Sequence, residues 1–283
     1  MVVHKSLTGW YEKNSSRIDA FVFDIDGVLL TDHVASGAQP LLSLLKRTRI
    51  PYCLLTNDGN HSPIEKSGYL KKAGIRVAPE DIISCSHGLI PVAREKGLRG
   101  KMFFVMGDLG IPCYGEAAGL KTTRDVSKLP LCAGVIVSEE NYDWEPTFNA
   151  VINFFIDHPE AVLICPNPDE YYPGGGKMKI LIGSGTVARL LERVLTAYGV
   201  AISAIYTGKP YGTIFEYTHK LLEKKAGRAI SCRRVLMVGD NLESDIKGTK
   251  NAGYTSALML TGVTTLAMLE KSDVSPDFVF ENL

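Results

Sequence analysis

The 283-residue chain has no excess of either charge, no paired-cysteine pattern and no apolar run long enough to span a bilayer. Its most apolar long stretch, Ala257 to Leu269, falls short of the roughly 20 residues that a spanning helix needs and is interrupted by Gly262 and threonines. The opening segment, MVVHKSLTGWYEK, lacks the apolar core of a secretory signal. Lys+Arg and Asp+Glu number 31 each, so no global positive field draws the chain to nucleic acid or to an anionic membrane. The six cysteines (Cys53, Cys85, Cys113, Cys132, Cys165, Cys232) include no C-x-x-C pair, and several sit inside apolar runs. Free thiols in a reducing, cytoplasmic compartment are expected. The six histidines form no i,i+4 pair, so a histidine metal site on a helix face is not expected. What is present is ordinary for a globular chain: 45% apolar and 22% charged residues, enough for one large or two modest domains.

Short β-branched apolar runs alternate with amphipathic stretches, the pattern of an α/β protein with a parallel sheet. Strands are expected at Ala20–Phe23, Tyr52–Leu55, Val235–Val238 and Ser256–Leu260. Helices are expected around Pro40–Arg47, Thr213–Lys225 and from near Glu243 to just before Gly253. A further helix announces itself at Ser62-Pro63-Ile64-Glu65. Ser62 can cap, Pro63 suits the first helical position, Glu65 completes a capping box and Gly74 can end it. The middle of the chain carries its own strands at Met102–Val105, Val135–Val137 and Ala161–Cys165, with no low-complexity linker. The expected architecture is a doubly wound, Rossmann-like parallel sheet core formed by residues 1–85 and 206–283. An α/β domain, residues 86–205, is inserted into it.

In an open parallel sheet, ligands bind beyond the carboxyl ends of the strands. Three of the expected strands end there in reactive residues: Asp24-x-Asp26, Thr56-Asn57 and Gly239-Asp240. Asp245 follows Asp240 by about one helical turn, so both carboxylates can face one crevice. Four converging carboxylates repel one another, and a hard divalent cation such as Mg²⁺ resolves the conflict. Lys209, in Thr207-Gly208-Lys209-Pro210, adds a fixed positive charge. A nucleophilic carboxylate, a metal, an ammonium and a hydroxyl together suit a phosphoryl group. Each part alone has a blander reading: Asp-x-Asp is common in turns, Thr-Asn ends many strands, and a lysine before proline is usually a solvated loop residue. Their combination in order at element boundaries carries the inference.

The segments FVFDIDGVLL, LLTNDGN, TGKP and VLMVGDNLESDI resemble the four motifs of the haloacid dehalogenase-like hydrolase superfamily. The wider run from Thr207 to Val263, with NPDEYYP in the middle of the chain, is similar to its subfamily IIA. That subfamily comprises phosphatases of nucleotides, p-nitrophenyl phosphate, pyridoxal phosphate and similar small esters. Only 30 residues separate Asp26 from Thr56, but 153 separate Thr56 from Lys209, which places a large cap domain in the second interval. The resemblance implies that Asp24 attacks phosphorus to form an aspartyl-phosphate and that Asp26 acts as general acid and then base. It implies that Mg²⁺ is held by Asp24, Asp26 (through its backbone carbonyl), Asp240 and Asp245, the last as ligand or support. It assigns Thr56, Asn57 and Lys209 to the phosphate. In the cap, Asp169, Tyr171 and Tyr172 occupy the place of a loop that reads the leaving group, although both tyrosines are as readily explained as packing residues. The implied partner is a small phosphorylated metabolite, with a possible homodimer through the cap. One departure is Asp58-Gly59-Asn60 after Asn57, which sets an extra carboxylate beside the phosphate site.

Rival readings are weaker. Residues 179–188 imitate a dinucleotide fingerprint (G-x-G-x-x-A from Gly183), but no Asp or Glu stands between Val194 and Phe215 to hold a ribose, which leaves an NAD(P)-dependent oxidoreductase remote. Gly174-Gly175-Gly176-Lys177 is followed by Met178, where a P-loop needs Ser or Thr. Dehalogenase chemistry is disfavoured by the presence of Asp26 and the metal-type carboxylates. A catalytically silent protein that binds a phospho-ligand or a partner is the alternative from another class.

Overall fold

The computed structural model describes residues 2–31, 33–174 and 178–283, so most of the Gly174–Lys177 run lies outside the described residues. Along the chain the strands are β1 (Val3–His4), β2 (Ala20–Phe23), β3 (Tyr52–Thr56), β4 (Ile82–Ser84), β5 (Met102–Met106), β6 (Lys121–Thr123) and β7 (Gly134–Val137). They continue with β8 (Val162–Cys165), β9 (Tyr171–Pro173), β10 (Ile180–Ile182), β11 (Ile205–Tyr206), β12 (Val235–Gly239), β13 (Thr255–Met259) and β14 (Phe278–Phe280). The chain forms two compact units. One comprises Met1–Thr56, Lys66–Ile83 and Lys209–Leu283, and the other comprises Asn57–Glu65 and Ser84–Gly208.

The first unit is built on a seven-stranded sheet of order β1-β14-β13-β12-β2-β3-β4. The β2, β3 and β12 sequences are continuous apolar runs, as expected of parallel strands buried on both faces. Side-chain alternation divides them between two cores. Phe21, Phe23, Leu54, Leu236, Val238 and Met259 pack with Leu7, Trp10, Leu41, Leu45 and Leu70 on one face. Ala20, Val22, Cys53, Leu55, Val235 and Met237 pack with Ile214, Phe215 and Leu222 on the other. Helices thus cover both sides, the doubly wound arrangement anticipated from the alternating pattern.

The local signals are realised at the helix ends. Ser62 Oγ accepts from Glu65 N at 3.3 Å while Glu65 Oε2 accepts from Ser62 N at 2.8 Å, a complete capping box for the helix Pro63–Ala73. The helix after Asp240 differs from expectation. It opens as a π-turn, Leu242–Ile246, before the α-helical Lys247–Asn251, with the Asn241 side chain capping Glu243 N and Ser244 N. Several short elements escape a sequence reading. β1 pairs in parallel with β14 (Val3↔Val279, His4↔Phe280), and two residues carry no periodicity to detect.

The second unit holds a five-stranded parallel sheet of order β11-β8-β7-β5-β6. Phe104, Met106, Val135, Val137 and Leu163 face Phe148, Val151, Phe155, Val187 and Leu191, which lie on the helices Trp144–Asp157 and Ser184–Tyr198. Phe103, Val105, Ile136 and Ile164 face Leu89 and Val92 on the opposite side. Separately, β9 and β10 form an antiparallel pair. That pairing removes the context of a dinucleotide fingerprint, because β10, which leads into Gly183-Ser184-Gly185, is not a strand of the parallel sheet. The glycines have another cause. A Cβ on Gly183 would lie 2.3 Å from Asp169 O and one on Gly185 would lie 2.1 Å from Pro168 O, so they admit the close passage of residues 168–170. Among the described residues, no helix is long and apolar enough to cross a membrane.

Candidate active site

Parallel pairing of β12 with β2 (Val238↔Phe23) sets the carboxyl ends of two distant segments side by side. Asp24 follows β2 directly and its N–H donates to Val238 O at 2.8 Å; Asp240 follows β12. Asp245, on the π-turn, folds back so that its Oδ2 accepts from the N–H groups of Asp240 and Asn241, both at 3.1 Å. One carboxylate oxygen from each of Asp24, Asp240 and Asp245 lies within 4.8 Å of the others. The Lys209 ammonium, 2% exposed, completes the cluster at 2.8 Å from Asp24 Oδ1 and 2.7 Å from Asp245 Oδ1. Thr56 ends β3, the other neighbour of β2, and is buried.

Three carboxylates face one ammonium here, and the imbalance is visible in their proton affinities. Burial pushes the Asp24 carboxyl well above the usual carboxylate range; the charges of Asp245 and Asp240 add to this and Lys209 opposes it. Asp240 is pushed up to about 7, by burial first and then by Asp245. Burial alone would lower the Lys209 pKa, but the carboxylates of Asp24 and Asp245 outweigh it and raise it above a lysine's ordinary value. Such a site favours either protons or a hard cation. The donor set fits a small divalent ion. Asp245 uses one oxygen for Lys209 and the other for two backbone N–H groups, while Asp240 Oδ2 accepts from Val263 N at 2.7 Å. Asp24 and Asp240 are therefore the carboxylates that would hold a cation.

Asp26 stands apart from this cluster. Its side chain is 61% exposed, with Oδ2 at 3.5 Å from Lys66 Nζ, on a turn closed by Gly27 N donating to Leu30 O at 2.6 Å. Of the four aspartates expected at a metal, the fold therefore gathers the side chains of three, and the expectation for Asp26 concerned its backbone only. A segment that sequence reasoning left without a role walls the cluster. A Cβ on Gly262 would lie 1.8 Å from Asp240 Oδ2, and one on Gly27 2.2 Å from the same atom. The signal was available, since Thr261-Gly262-Val263 follows the carboxyl end of β13.

The remaining expected residues belong to the second unit. Asn57 donates Nδ2 to Asp169 Oδ1 at 3.0 Å, and Asp169 N donates to Asn167 Oδ1 at 2.9 Å. The extra carboxylate, Asp58, turns into its own loop. Its Oδ1 accepts from Asn60 N at 3.0 Å and His61 N at 3.2 Å, and its Oδ2 lies 2.9 Å from His61 Nδ1. Tyr171 is exposed on β9, and the Tyr172 hydroxyl donates to Glu140 Oε1 at 3.2 Å. Glu139, which carried no expectation, is buried at the end of β7 among Asn60, Asn167 and Ser184.

Comparison with known proteins gives a consistent picture. Residues 21–121 match a family model described as haloacid dehalogenase-like hydrolase, and residues 206–283 match one described as HAD-hydrolase-like. The chain is 25% identical over 268 residues to a dihydroxyacetone phosphatase of Corynebacterium glutamicum, covering 93% of this chain and 89% of the relative. It is 26% identical over 269 residues to a glycerol-3-phosphate phosphatase of Gallus gallus, covering 89% and 82%. Among solved structures, a possible sugar phosphatase from Cytophaga hutchinsonii superposes with a TM-score of 0.80 at 25% identity, covering 100% of this chain and 98% of that one.

Proposed function

Because the chain belongs to the haloacid dehalogenase-like hydrolases, we propose that it is a Mg²⁺-dependent phosphatase that hydrolyses small phosphate monoesters through an aspartyl-phosphate on Asp24. The observation that carries this reading is the nearly buried Asp24 carboxylate, gripped by Lys209 at 2.8 Å, with a solvent-accessible carboxylate two residues on at Asp26. Asp24 presents an oxygen to phosphorus, and Lys209 opposes the charge that develops on the phosphoryl oxygens. Asp26, outside the cluster and open to water, protonates the leaving oxygen and then takes a proton from the hydrolytic water. Thr56, at the end of β3, and Asn57, next in the chain, orient the phosphoryl oxygens. Asp24, Asp240 and the Asp26 backbone carbonyl would hold the cation, and Asp245, as ligand or support, keeps Lys209 and the Asp240 backbone in place. Bound there, Mg²⁺ supplies the charge neutralisation that lets an anionic nucleophile approach an anionic ester.

The relatives act, by their names, on dihydroxyacetone phosphate, glycerol 3-phosphate and sugar phosphates, so a short polyol or sugar phosphate is the substrate class favoured here. Asp169, Tyr171 and Tyr172 would read the leaving group, and the acidic Asp169 and Glu170 favour a neutral, hydroxyl-bearing one. Six free thiols support a reducing, cytoplasmic setting.

The test is hydrolysis of p-nitrophenyl phosphate and of a panel of triose and sugar phosphates, with Mg²⁺ and with EDTA. Turnover should require Mg²⁺ and vanish in Asp24→Asn. Metal-independent turnover, or turnover that survives in Asp24→Asn, refutes the mechanism. Failure across the whole panel shifts the reading to a ligand-binding protein.

A further inference from the structure

Among the described residues, Glu139 is the one strongly connected buried carboxylate to which the reaction scheme above gives no task. It is 8% exposed at the carboxyl end of β7, inside the second unit. Its Oε1 accepts from Asn167 Nδ2 at 2.7 Å, from Ser184 N at 3.1 Å and from Ser184 Oγ at 3.2 Å; its Oε2 accepts from Asn60 Nδ2 at 3.3 Å. The neighbouring Ser138 Oγ donates to Asn60 Oδ1 at 3.1 Å, and Glu139 O accepts from Asp108 N at 2.8 Å. Side-chain bonds to this one carboxylate thus join its own loop to residues 57–62, to the segment after β8 and to the start of the helix Ser184–Tyr198.

The bonds run onward in one direction. A carboxylate only accepts, so Asn167 must turn Nδ2 toward Glu139 and Oδ1 away. That Oδ1 accepts from Asp169 N at 2.9 Å, and Asp169 Oδ1 in turn accepts from Asn57 Nδ2 at 3.0 Å. Asn57 lies on the same loop as Asn60, so the chain of bonds closes on Glu139 from both ends. An amide left to itself flips between two nearly isosteric orientations; here Glu139 fixes the sense of Asn167, whose Oδ1 holds the Asp169 backbone, and the Asp169 carboxylate fixes Asn57.

We propose that Glu139 is a positioning residue, which fixes the polarity of the Asn167 amide and so sets the orientation of Asp169 and, through its carboxylate, of Asn57. The proposal rests on the phosphatase reading, in which Asn57 holds phosphoryl oxygens and Asp169 faces the leaving group. Burial raises the Glu139 carboxyl above its ordinary value, while Ser184 and Asn167 hold it down, consistent with a charge kept in place by its donors. Supporting groups of this kind change activity by about 10- to 100-fold when removed.

The experiment compares Glu139→Met, which fills the volume without an acceptor, with Glu139→Gln, which keeps one acceptor for Asn167 and Ser184 while Asn60 turns its amide. Val151→Ala, in the core of the same unit, controls for lost stability. With p-nitrophenyl phosphate and Mg²⁺, Glu139→Met should lower kcat by about 10- to 100-fold, with KM changed less than about threefold. Glu139→Gln should recover most of that loss, and Val151→Ala should keep the wild-type kcat. A second readout does not need turnover. Hydrogen exchange of the Asn57 side-chain amide, followed by NMR, should quicken at least about tenfold in Glu139→Met and stay slow in Glu139→Gln and Val151→Ala. Wild-type kcat in Glu139→Met, an equal loss in Val151→Ala, or unchanged Asn57 exchange overturns the proposal. If the wild-type protein hydrolyses no ester, the phosphatase reading fails and the exchange measurement alone decides the positioning role.

Discussion

Replacing Lys209 by methionine would remove the cation that pairs with Asp24 and Asp245 while nearly preserving volume. Lys209 Nζ lies 2.8 Å from Asp24 Oδ1 and 2.7 Å from Asp245 Oδ1, and the lysine is 2% exposed. At an effective dielectric of about 20, unit charges at that separation attract by about 6 kcal/mol, most of which offsets the cost of burying them. Removing one partner leaves the other charges buried and uncompensated, a change that destabilises by about 3–5 kcal/mol. At roughly 2–4 °C per kcal/mol, the thermal midpoint in EDTA should fall by about 6–20 °C. Added Mg²⁺ should then stabilise the variant more than the wild type, because a cluster of three negative charges without its lysine attracts a dication more strongly. Activity should move the other way. Without the ammonium to oppose charge on the phosphoryl oxygens, kcat should drop by about 10²–10³ even at saturating Mg²⁺. A variant within about 2 °C of the wild type in EDTA would refute the stabilising role of the ion pair, and one retaining a third of the wild-type kcat would refute its catalytic role.

Two further outcomes follow from the same structure. Gly262→Ala would place a Cβ 1.8 Å from Asp240 Oδ2, and overpacking of this kind costs about 1–3 kcal/mol. The variant should fold with reduced stability and need far more Mg²⁺ for half-maximal activity; an unchanged Mg²⁺ dependence would mean that Asp240 does not bind the ion. His87 accepts Ser84 N on Nδ1 at 3.0 Å, and burial lowers its pKa from 6.5 to about 4. Folding therefore favours the neutral ring, so its contribution is complete above pH 6.5 and is lost as pH falls toward 4, on the order of 3 kcal/mol in all. Unfolding curves across that window should show a slope that is much reduced in His87→Gln; equal slopes would assign the acid sensitivity to other groups.

The sequence by itself determined β2, β3, β12 and β13 of one sheet and β5, β7 and β8 of the other, because strands buried on both faces read as continuous apolar runs whatever surrounds them. It also determined local ends such as the Ser62–Glu65 box, whose partners lie three residues apart. The reactive residues were legible for a related reason: a parallel sheet delivers whatever follows each strand to one edge, so Asp24, Thr56 and Asp240 declared themselves by position. Tertiary structure decided what depends on groups far apart in the chain. The π-turn and the fold-back of Asp245 onto the Asp240 and Asn241 amides, the close fit of Gly262 against Asp240, and the separation of Asp26 from the carboxylate cluster leave no periodic trace. Likewise, the glycines at 183 and 185 imitate a cofactor loop in sequence, and only the passage of residues 168–170 over them reveals their cause. Glu139 is the clearest case. Its sequence neighbourhood is an ordinary acidic turn, and its significance comes from Asn60, Asn167 and Ser184, which the fold alone brings within hydrogen-bonding distance.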